Sequence, residues 1–340
     1  MSSYSVAVLG ASGYAGGELV RLLDSHPDLD VVHLGAHSKE GASLADVHPH
    51  LAGGERPLGS NEIADLGGID VAFLALPHGA SAEVGVALRR RGVLVVDLGS
   101  DFRLDTEARY REAYGSAHPF PDQLSDWVYG LPELFDVTGS TAIASPGCYP
   151  TAVILALAPL LAAGLMATEH LVADCLSGVS GAGRGVTAEL AFGAVDEGVR
   201  AYAVGSHRHR PEIEMALDAL GDGTHRIVFT PHLVPMQRGI LATVTGQGSA
   251  SAETLRDCLR DAYAKAAFVD VIDRPPQTRW VVSSNRALVT AFADEHTGSV
   301  IAQCAIDNLG KGAAGQAVQA ANLALGLPET SGLPMSGWMP

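Results

Sequence analysis

The stretch Ser5-Val6-Ala7-Val8-Leu9-Gly10-Ala11-Ser12-Gly13-Tyr14-Ala15-Gly16-Gly17 decides the fold. Ser5 to Leu9 alternates little, as a parallel strand buried on both faces does. Glycines at G-x-x-G-x-x-G spacing follow, and Glu18 to Ser25 then carries Leu19, Leu22 and Leu23 at helical spacing. Strand, glycine turn and helix in that order make a dinucleotide-binding unit. Glycine lets the backbone approach a pyrophosphate, which rests on the helix N-terminus. Gly10, Ser12, Gly13, Tyr14, Ala15 and Gly16 are the residues expected around it. The spacing is not the commoner G-x-G-x-x-G, and such turns also occur without a ligand. The position between a first strand and a first helix favours the nucleotide.

Working outward, a second strand over Asp30 to Leu34 ends in Gly35-Ala36-His37-Ser38-Lys39. An NAD-preferring site places an acid near such an end, for the ribose 2′-hydroxyl. None stands there. Ser38 and Lys39 suit a 2′-phosphate, so NADP(H) is the expected cofactor; a solvated loop lysine is the other reading of Lys39. Asp70 to Leu76 is a third apolar run and ends in Pro77-His78-Gly79. A helix over Ser81 to Arg91, with Ser81 as its cap, and a strand over Val93 to Asp97 come next. This alternation predicts a Rossmann-type doubly wound parallel sheet with its crevice at the strand C-termini. Pro77 and His78 lie at such an end, as cofactor-edge or backbone-positioning residues. Arg103, in the loop after the fourth strand, is an anion fork or an ion-pair partner of Asp101 or Asp105. Residues 110–140 read as loop, and Thr141 to Ala144 as a short strand.

That strand delivers Ser145-Pro146-Gly147-Cys148-Tyr149-Pro150-Thr151 and the apolar run Ala152 to Ala163. Proline near the first helical position and the Ala/Leu-rich continuation place Cys148 at a helix start. The positive end of the helix favours thiolate, the form that acts as a nucleophile.

Beyond this helix the texture changes. His170 to Leu176, Arg226 to Leu233, Ile240 to Thr245, Ala287 to Ala293 and Ser299 to Ile306 read as strands. Glu212 to Leu220 and Ala252 to Ala266 read as helices. Strands succeeding strands predict an α+β domain with a large, mainly antiparallel sheet. A glycine-laced stretch from Gly310 opens an Ala-rich helix to about Leu325, expected to pack back on the first domain. Asn308 and Gly312 are the cofactor contacts expected at its start. The tail from Leu327 reads as poorly ordered. The expected division is thus a dinucleotide-binding domain over 1–147, completed by about 310–327, and a catalytic and oligomerisation domain over 148–309.

Composition narrows the function. The 340 residues are 47% hydrophobic and carry a formal net charge of −16. Such a charge opposes nucleic acid and anionic membranes, which need a basic face. A local arginine cluster can still receive an anionic small substrate. The cysteines, Cys148, Cys175, Cys258 and Cys304, match neither a zinc pattern nor a disulfide scaffold. No metal is expected. With no signal peptide and no apolar run of membrane length, the expected location is the cytoplasm.

Gly205-Ser206-His207-Arg208-His209-Arg210-Pro211-Glu212 supplies candidates to assist Cys148. Two histidines one residue apart point the same way on an extended segment. One imidazole would take the thiol proton and return it, and Glu212 would orient that ring. A basic surface turn is the plainer alternative. Arg184, in the loop Ser177-Gly178-Val179-Ser180-Gly181-Ala182-Gly183-Arg184, and Arg208, Arg210, Arg238 and Lys311 bring positive charge to the same motifs. Ser177, Arg184, Arg208 and Arg103 are the expected substrate contacts. A thiolate, an imidazole, a nicotinamide site and anion forks imply one reaction class. Sulfur attacks an activated acyl carbon, phosphate departs, and the thioester accepts hydride to give an aldehyde.

These motifs, with Tyr129-Gly130-Leu131-Pro132-Glu133, Pro231-His232-Leu233-Val234-Pro235 and Asn308-Leu309-Gly310-Lys311-Gly312, resemble those of the N-acetyl-γ-glutamyl-phosphate reductases, within the aspartate-semialdehyde dehydrogenase superfamily. The resemblance runs over roughly residues 5 to 325. It implies NADPH-dependent reduction of N-acetyl-glutamyl 5-phosphate to the semialdehyde, in arginine biosynthesis. It also implies a homo-oligomer, dimer or tetramer, built through the second domain's sheet. Cys148 would be the thioester nucleophile and His209 the acid/base, with His207 as competitor. Arg103 would hold phosphate, and Ser12, Gly13 and Gly16 the pyrophosphate. Rival readings are a reductase of carrier-protein-linked aminoadipyl or glutamyl phosphate, a non-catalytic NADP-binding regulator, and a thiol acyltransferase with no redox step.

Overall fold

The computed structural model describes residues 3–185, 187–221 and 223–339. The chain forms two compact units: Met1–Glu107, Ala117–Pro146 and Ala313–Leu333 make the first, and Ala108–Ser116, Gly147–Gly312 and Pro334–Pro340 the second.

The first unit opens with β1 (Tyr4–Leu9), α1 (Tyr14–Leu23), β2 (Leu29–Gly35) and the single turn α2 (Leu44–Val47). It continues with β3 (Val71–Leu74), α3 (Ala82–Arg90), β4 (Leu94–Asp97), β5 (Val128–Tyr129) and β6 (Ala142–Ala144). The strands form one sheet in the order β2-β1-β3-β4-β6-β5, with every pairing parallel. The central strands β1, β3, β4 and β6 are buried apolar runs, because helices cover both faces of such a sheet. Its register aligns Leu9 with Leu74, Leu74 with Asp97 and Asp97 with Ala144. The loops beginning at Gly10, Ala75, Leu98 and Ser145 therefore leave from one edge. This is the Rossmann-type arrangement expected.

Two details differ from the expectation. Helix α1 starts at Tyr14, not Glu18, with Gly13 as its extended N-cap. Glycine weakens a helix interior by about 1 kcal/mol, which is why Gly16 and Gly17 suggested a later start. Both are there for close packing: a Cβ on Gly16 would overlap the Gly10 carbonyl, and one on Gly17 the His48 imidazole. The Ser81 side chain does not cap α3. Asp101 does so from the loop after β4, accepting the backbone N–H groups of Ser81 and Ala82 at 3.0 Å each.

The second unit includes most of α4 (Glu107–Tyr114), whose second half falls in the span that reads as loop; its low apolar content hides it. Then come α5 (Cys148–Ala162), β7 (Leu171–Ser177), the single turn α6 (Phe192–Val195), β8 (Arg200–Ala201) and α7 (Arg210–Leu220). After these follow β9 (Ile227–Leu233), β10 (Ile240–Gln247), α8 (Ala252–Ala262), β11 (Val269–Val271), β12 (Ala287–Asp294) and β13 (Ser299–Ile306). The sheet order is β11-β12-β13-β10-β7-β9-β8. Four of its six pairings are antiparallel; β7–β9 and β11–β12 are parallel. Helix α5 is apolar all round, and Tyr149 to Leu161 are buried.

The last helix is α9 (Gly315–Ala324), preceded by a π-helical turn over Gly310–Ala314. It belongs to the first unit. Gln316 donates to the Gly130 carbonyl at 2.9 Å, and Asn322 Oδ1 lies 2.9 Å from His26 Nε2. The tail is anchored at several points. In the first unit Leu333 is buried; in the second, Asn285 N–H donates to the Pro334 carbonyl and Trp338 N–H to that of Val282. Its proline and glycine content suggested disorder; one buried leucine and backbone hydrogen bonds tie it down, while Met335, Trp338 and Met339 stay exposed.

Candidate active site

Cys148 is the first residue of α5, with Gly147 as an extended N-cap. Three neighbours fix this start. Thr151 Oγ1 donates to the Gly147 carbonyl at 3.0 Å, and Gly147 N–H donates to Glu212 Oε1 at 2.7 Å. Gly312 presses from the other side: a Cβ there would lie 2.9 Å from Cys148 Cβ. Glu212 is fully buried. Its carboxylate opposes part of the positive charge that the helix end offers to the sulfur.

Register explains what surrounds Cys148. Ser177 pairs with Leu233 at the ends of β7 and β9, and Ala201 of β8 pairs with His232. Cys148, Ser177, Leu233 and Ala201 line a cavity of about 710 Å³, together with Tyr149, Tyr202, His207, Arg208, His209 and Arg200. Cys148 is partly exposed in it, whereas Cys175 and Cys304 are buried.

The His207–His209 segment is a turn leading into α7, not an extended strand. His209 N–H donates to His207 Nδ1 at 3.1 Å, and the two rings meet edge to face with centroids 4.7 Å apart. The turn, and not strand alternation, brings both rings to one wall. An amide N–H can only donate, so Nδ1 of His207 is bare and its neutral ring carries hydrogen at Nε2. Burial, then the adjacent Arg208 guanidinium, push His207 down to about 4. Tyr149 and Tyr202 join this wall through a 3.0 Å hydroxyl–hydroxyl bond. Burial is the main cause raising both, Tyr202 to about 12 and Tyr149 further. They stay neutral hydrogen-bonding groups.

The arginines separate. Arg208 lines the cavity. Arg184 is exposed on its glycine loop and is not among the lining residues described. Arg238 pairs with buried Asp307 at 2.9 Å, and Lys311 is fully buried with its ammonium 5.8 Å from the Phe268 ring centroid. Arg103, in the first unit, donates from Nε to the Ser145 carbonyl at 2.9 Å and from Nη2 to the Leu98 carbonyl at 2.8 Å.

The expected cofactor residues fall in two groups. In the first unit, Gly10 has φ +84° and its N–H bonds the Gly35 carbonyl at 3.0 Å, folding the turn back onto β2. The start of α1 has no side-chain cap and no acid in its first turn. Ser12 and Ala15 are half-buried, Tyr14 exposed, and a Cβ on Gly13 would meet nothing closer than 3.5 Å. Uncapped N–H groups behind an open glycine fit a pyrophosphate. Ser38, Lys39 and Pro77 are exposed at the ends of β2 and β3. In the second unit, Gly312 packs on Cys148 as above. Asn308 accepts Gly239 N–H at 2.7 Å and donates to Ser180 Oγ at 2.9 Å, holding together the loops beside the cavity.

Two family models cover nearly the whole chain: "Semialdehyde dehydrogenase, NAD binding domain" over residues 5–140 and "Semialdehyde dehydrogenase, dimerisation domain" over residues 148–308. The N-acetyl-gamma-glutamyl-phosphate reductase of Pseudarthrobacter chlorophenolicus is 46% identical over 346 residues, 99% of each chain. That of Symbiobacterium thermophilum is 46% identical over 342 residues, 98% of each chain. The chain belongs to the N-acetyl-gamma-glutamyl-phosphate reductase family. At the level of fold, aspartate semialdehyde dehydrogenase II from Vibrio cholerae superposes with a TM-score of 0.72 at 20% identity, covering 95% of this chain and 99% of that one.

For this member of the reductase family, sequence reading missed Arg200, Tyr202 and Glu189 in the cavity wall. Arg200 and Ala201 form a two-residue edge strand, too short to show a period. The available signal was their place, directly before the Gly205 to Glu212 motif.

Proposed function

We infer that the protein reduces N-acetyl-γ-glutamyl phosphate to N-acetylglutamate semialdehyde with NADPH, releasing phosphate, as a step of arginine biosynthesis. The observation that carries this is one cavity of the second unit, which Cys148, His209 and Arg208 line together.

Cys148 is the nucleophile. Its sulfur bonds to the acyl carbon as the bond from that carbon to the phosphate oxygen breaks, leaving a thioester. His209 takes the thiol proton and returns one when the sulfur later leaves. His207, bare at Nδ1 only toward His209 N–H, has no lone pair to spare for that proton. It offers its Nε2 hydrogen instead. Arg208 neutralises substrate charge in the cavity wall, and Arg103 serves the phosphate. The start of α1 would hold NADPH, which would supply a hydride for reduction of the thioester to the aldehyde. Gly13 leaves the backbone open for its pyrophosphate, and Lys39 stands where a 2′-phosphate is read.

Among the described residues no helix is long and apolar enough to cross a membrane, and the working compartment proposed is the cytoplasm. A homo-oligomer is proposed through the sheet of the second unit. The face turned away from α5 exposes Leu176 and Val228, the kind of apolar surface that a second subunit covers.

The test is phosphate-dependent NADP⁺ reduction with N-acetylglutamate semialdehyde beside aspartate semialdehyde. The acetylated substrate should turn over much faster. Equal rates, or a preference for aspartate semialdehyde, sink the assignment.

A further inference from the structure

Two carboxyl groups of the first unit share one serine hydroxyl. Asp97 closes β4 and Asp101 lies in the loop that follows; both side chains are fully buried. Ser81 Oγ is 2.9 Å from Asp97 Oδ2 and 3.0 Å from Asp101 Oδ2. A hydroxyl owns one hydrogen. It donates to one of these oxygens, and toward the other it can only accept. Acceptance requires a hydrogen on that second carboxyl group.

The surrounding donors decide which carboxyl carries it. Asp101 receives three backbone N–H groups, from Gly79 at 2.8 Å and from Ser81 and Ala82 at 3.0 Å each. Its Oδ1 is also 3.2 Å from His78 Nδ1. Asp97 receives one N–H, from Gly99 at 2.8 Å, and it falls on the other oxygen, Oδ1. Several N–H donors hold a carboxylate ionised, and burial with few donors does not. We propose that Asp97 is a carboxylic acid in the folded protein, donating to Ser81 while Ser81 donates to Asp101, and that this chain fastens the loop after β3 to the loop after β4.

The consequence is positional. Asp101 grips the loop that carries Pro77, through Gly79, Ser81 and Ala82. Asp97 grips Gly99 in the loop that carries Arg103. The shared hydroxyl joins the two grips. This functional half rests on the roles proposed above for Pro77 and Arg103; the proton count does not. The charged groups facing Asp97 are Asp101 and Arg103, with His78 and His118 behind Asp101. Strands β3 and β6 and helix α9, adjacent to β4, have no titratable side chains. On α3, Glu83 and Arg90 are exposed and Arg89 pairs with Asp126.

Burial, then the neighbouring Asp101, push Asp97 up to about 7, the direction the proton count requires. The folded protein thus holds a proton that the unfolded chain releases near pH 4. Stability falls as pH rises from there and levels off once Asp97 has ionised, above about 7.

Infrared difference spectra of the full-length protein across pH 5 to 9, for wild type, Asp97→Asn and Asp97→Ala, test this. Wild type should show a protonated-carboxyl C=O band that bleaches near neutral pH and that Asp97→Asn lacks. Asparagine reproduces the neutral acid: its NH₂ donates to Ser81 and its oxygen accepts Gly99 N–H. Asp97→Asn should therefore keep both KM values within about threefold of wild type, while Asp97→Ala raises them by about tenfold, the cost of one hydrogen bond. No band that Asp97→Asn removes means an ionised Asp97 and overturns the proposal, whatever the substrate. A band present, but Asp97→Asn as impaired as Asp97→Ala, overturns the positioning role. If Asp97→Ala does not fold, the band and the Asp97→Asn kinetics still decide. Failure of the substrate assignment would leave the infrared result standing.

Discussion

Glu212 Oε1 lies 2.7 Å from the backbone nitrogen of Gly147, so a fully buried carboxyl group on α7 holds the residue just before the nucleophile. The bond ties the start of α5 to the helix that His209 begins. Removing the acceptor strands a buried N–H, at a cost of about 1–3 kcal/mol. Glu212→Gln keeps an oxygen for that N–H, and Glu212→Ala does not. Urea unfolding should place Glu212→Gln within about 1 kcal/mol of wild type and Glu212→Ala lower by about 1–3 kcal/mol. Equal losses in both would show that charge, and not acceptance of the Gly147 N–H, is what matters at this position.

The two histidines should separate in kinetics. Loss of a general base costs about 10²–10⁴ in rate. His209→Asn should reach that range in kcat, and His207→Gln should fall short of about tenfold. His207 also carries a pH signature. Its ring is held below its ordinary value, down to about 4, so the unfolded chain takes up a proton before the folded one does. The stability this contributes is present above the ordinary histidine value, about 6.5, and is lost as pH falls toward about 4. Urea midpoints at pH 7.5 and pH 5 should differ less in His207→Gln than in wild type. A larger acid loss in the variant would contradict the burial of this ring.

Much of this was legible because local chemistry and tertiary structure agree. The glycine turn after β1, the apolar parallel strands and the start of α5 at Cys148 each carry a signal within a few residues. What was hidden depends on contacts distant in sequence. Gly16 and Gly17 sit inside α1 because Gly10 and His48 crowd them, which no helix propensity reveals. The α3 cap comes from Asp101, twenty residues past Ser81. His207 and His209 share a wall through a turn, although strand alternation predicted the same outcome by a different geometry. Tyr202 joins the site through the pairing of β8 with β9 and its bond to Tyr149.

Thiol labelling separates the cysteines by environment. Cys148 is partly exposed on the cavity wall. Burial pushes the thiols of Cys175 and Cys258 up, Cys175 well above its ordinary value. Thiolate is the reactive form. Limited iodoacetamide treatment with peptide mapping should modify Cys148 first, Cys258 later and Cys175 and Cys304 only after unfolding. Cys148→Ser should abolish turnover and retain NADPH binding, which depends on the glycine turn of the other unit. Appreciable reductase activity in Cys148→Ser would remove the covalent route.

Gly13 and Gly16 stand in one turn and should fail in different ways. A Cβ on Gly16 would overlap the Gly10 carbonyl, and neither backbone segment can step aside without moving the end of β1. Overpacking of that kind costs about 1–3 kcal/mol, so Gly16→Ala should lower the melting temperature and weaken NADPH together. A Cβ on Gly13 meets its first neighbour at 3.5 Å, an ordinary contact, and points into open space. Gly13 is in extended backbone, φ −78° and ψ 172°, which alanine adopts freely. Gly13→Ala should therefore melt like wild type. If that open space receives a pyrophosphate, the added methyl must displace it, and NADPH affinity should drop by about tenfold or more for the loss of one charged hydrogen bond. Calorimetry and a fluorescence titration on the same sample separate the two effects. Unchanged NADPH affinity in Gly13→Ala would mean that this glycine serves the fold of the turn and not the cofactor.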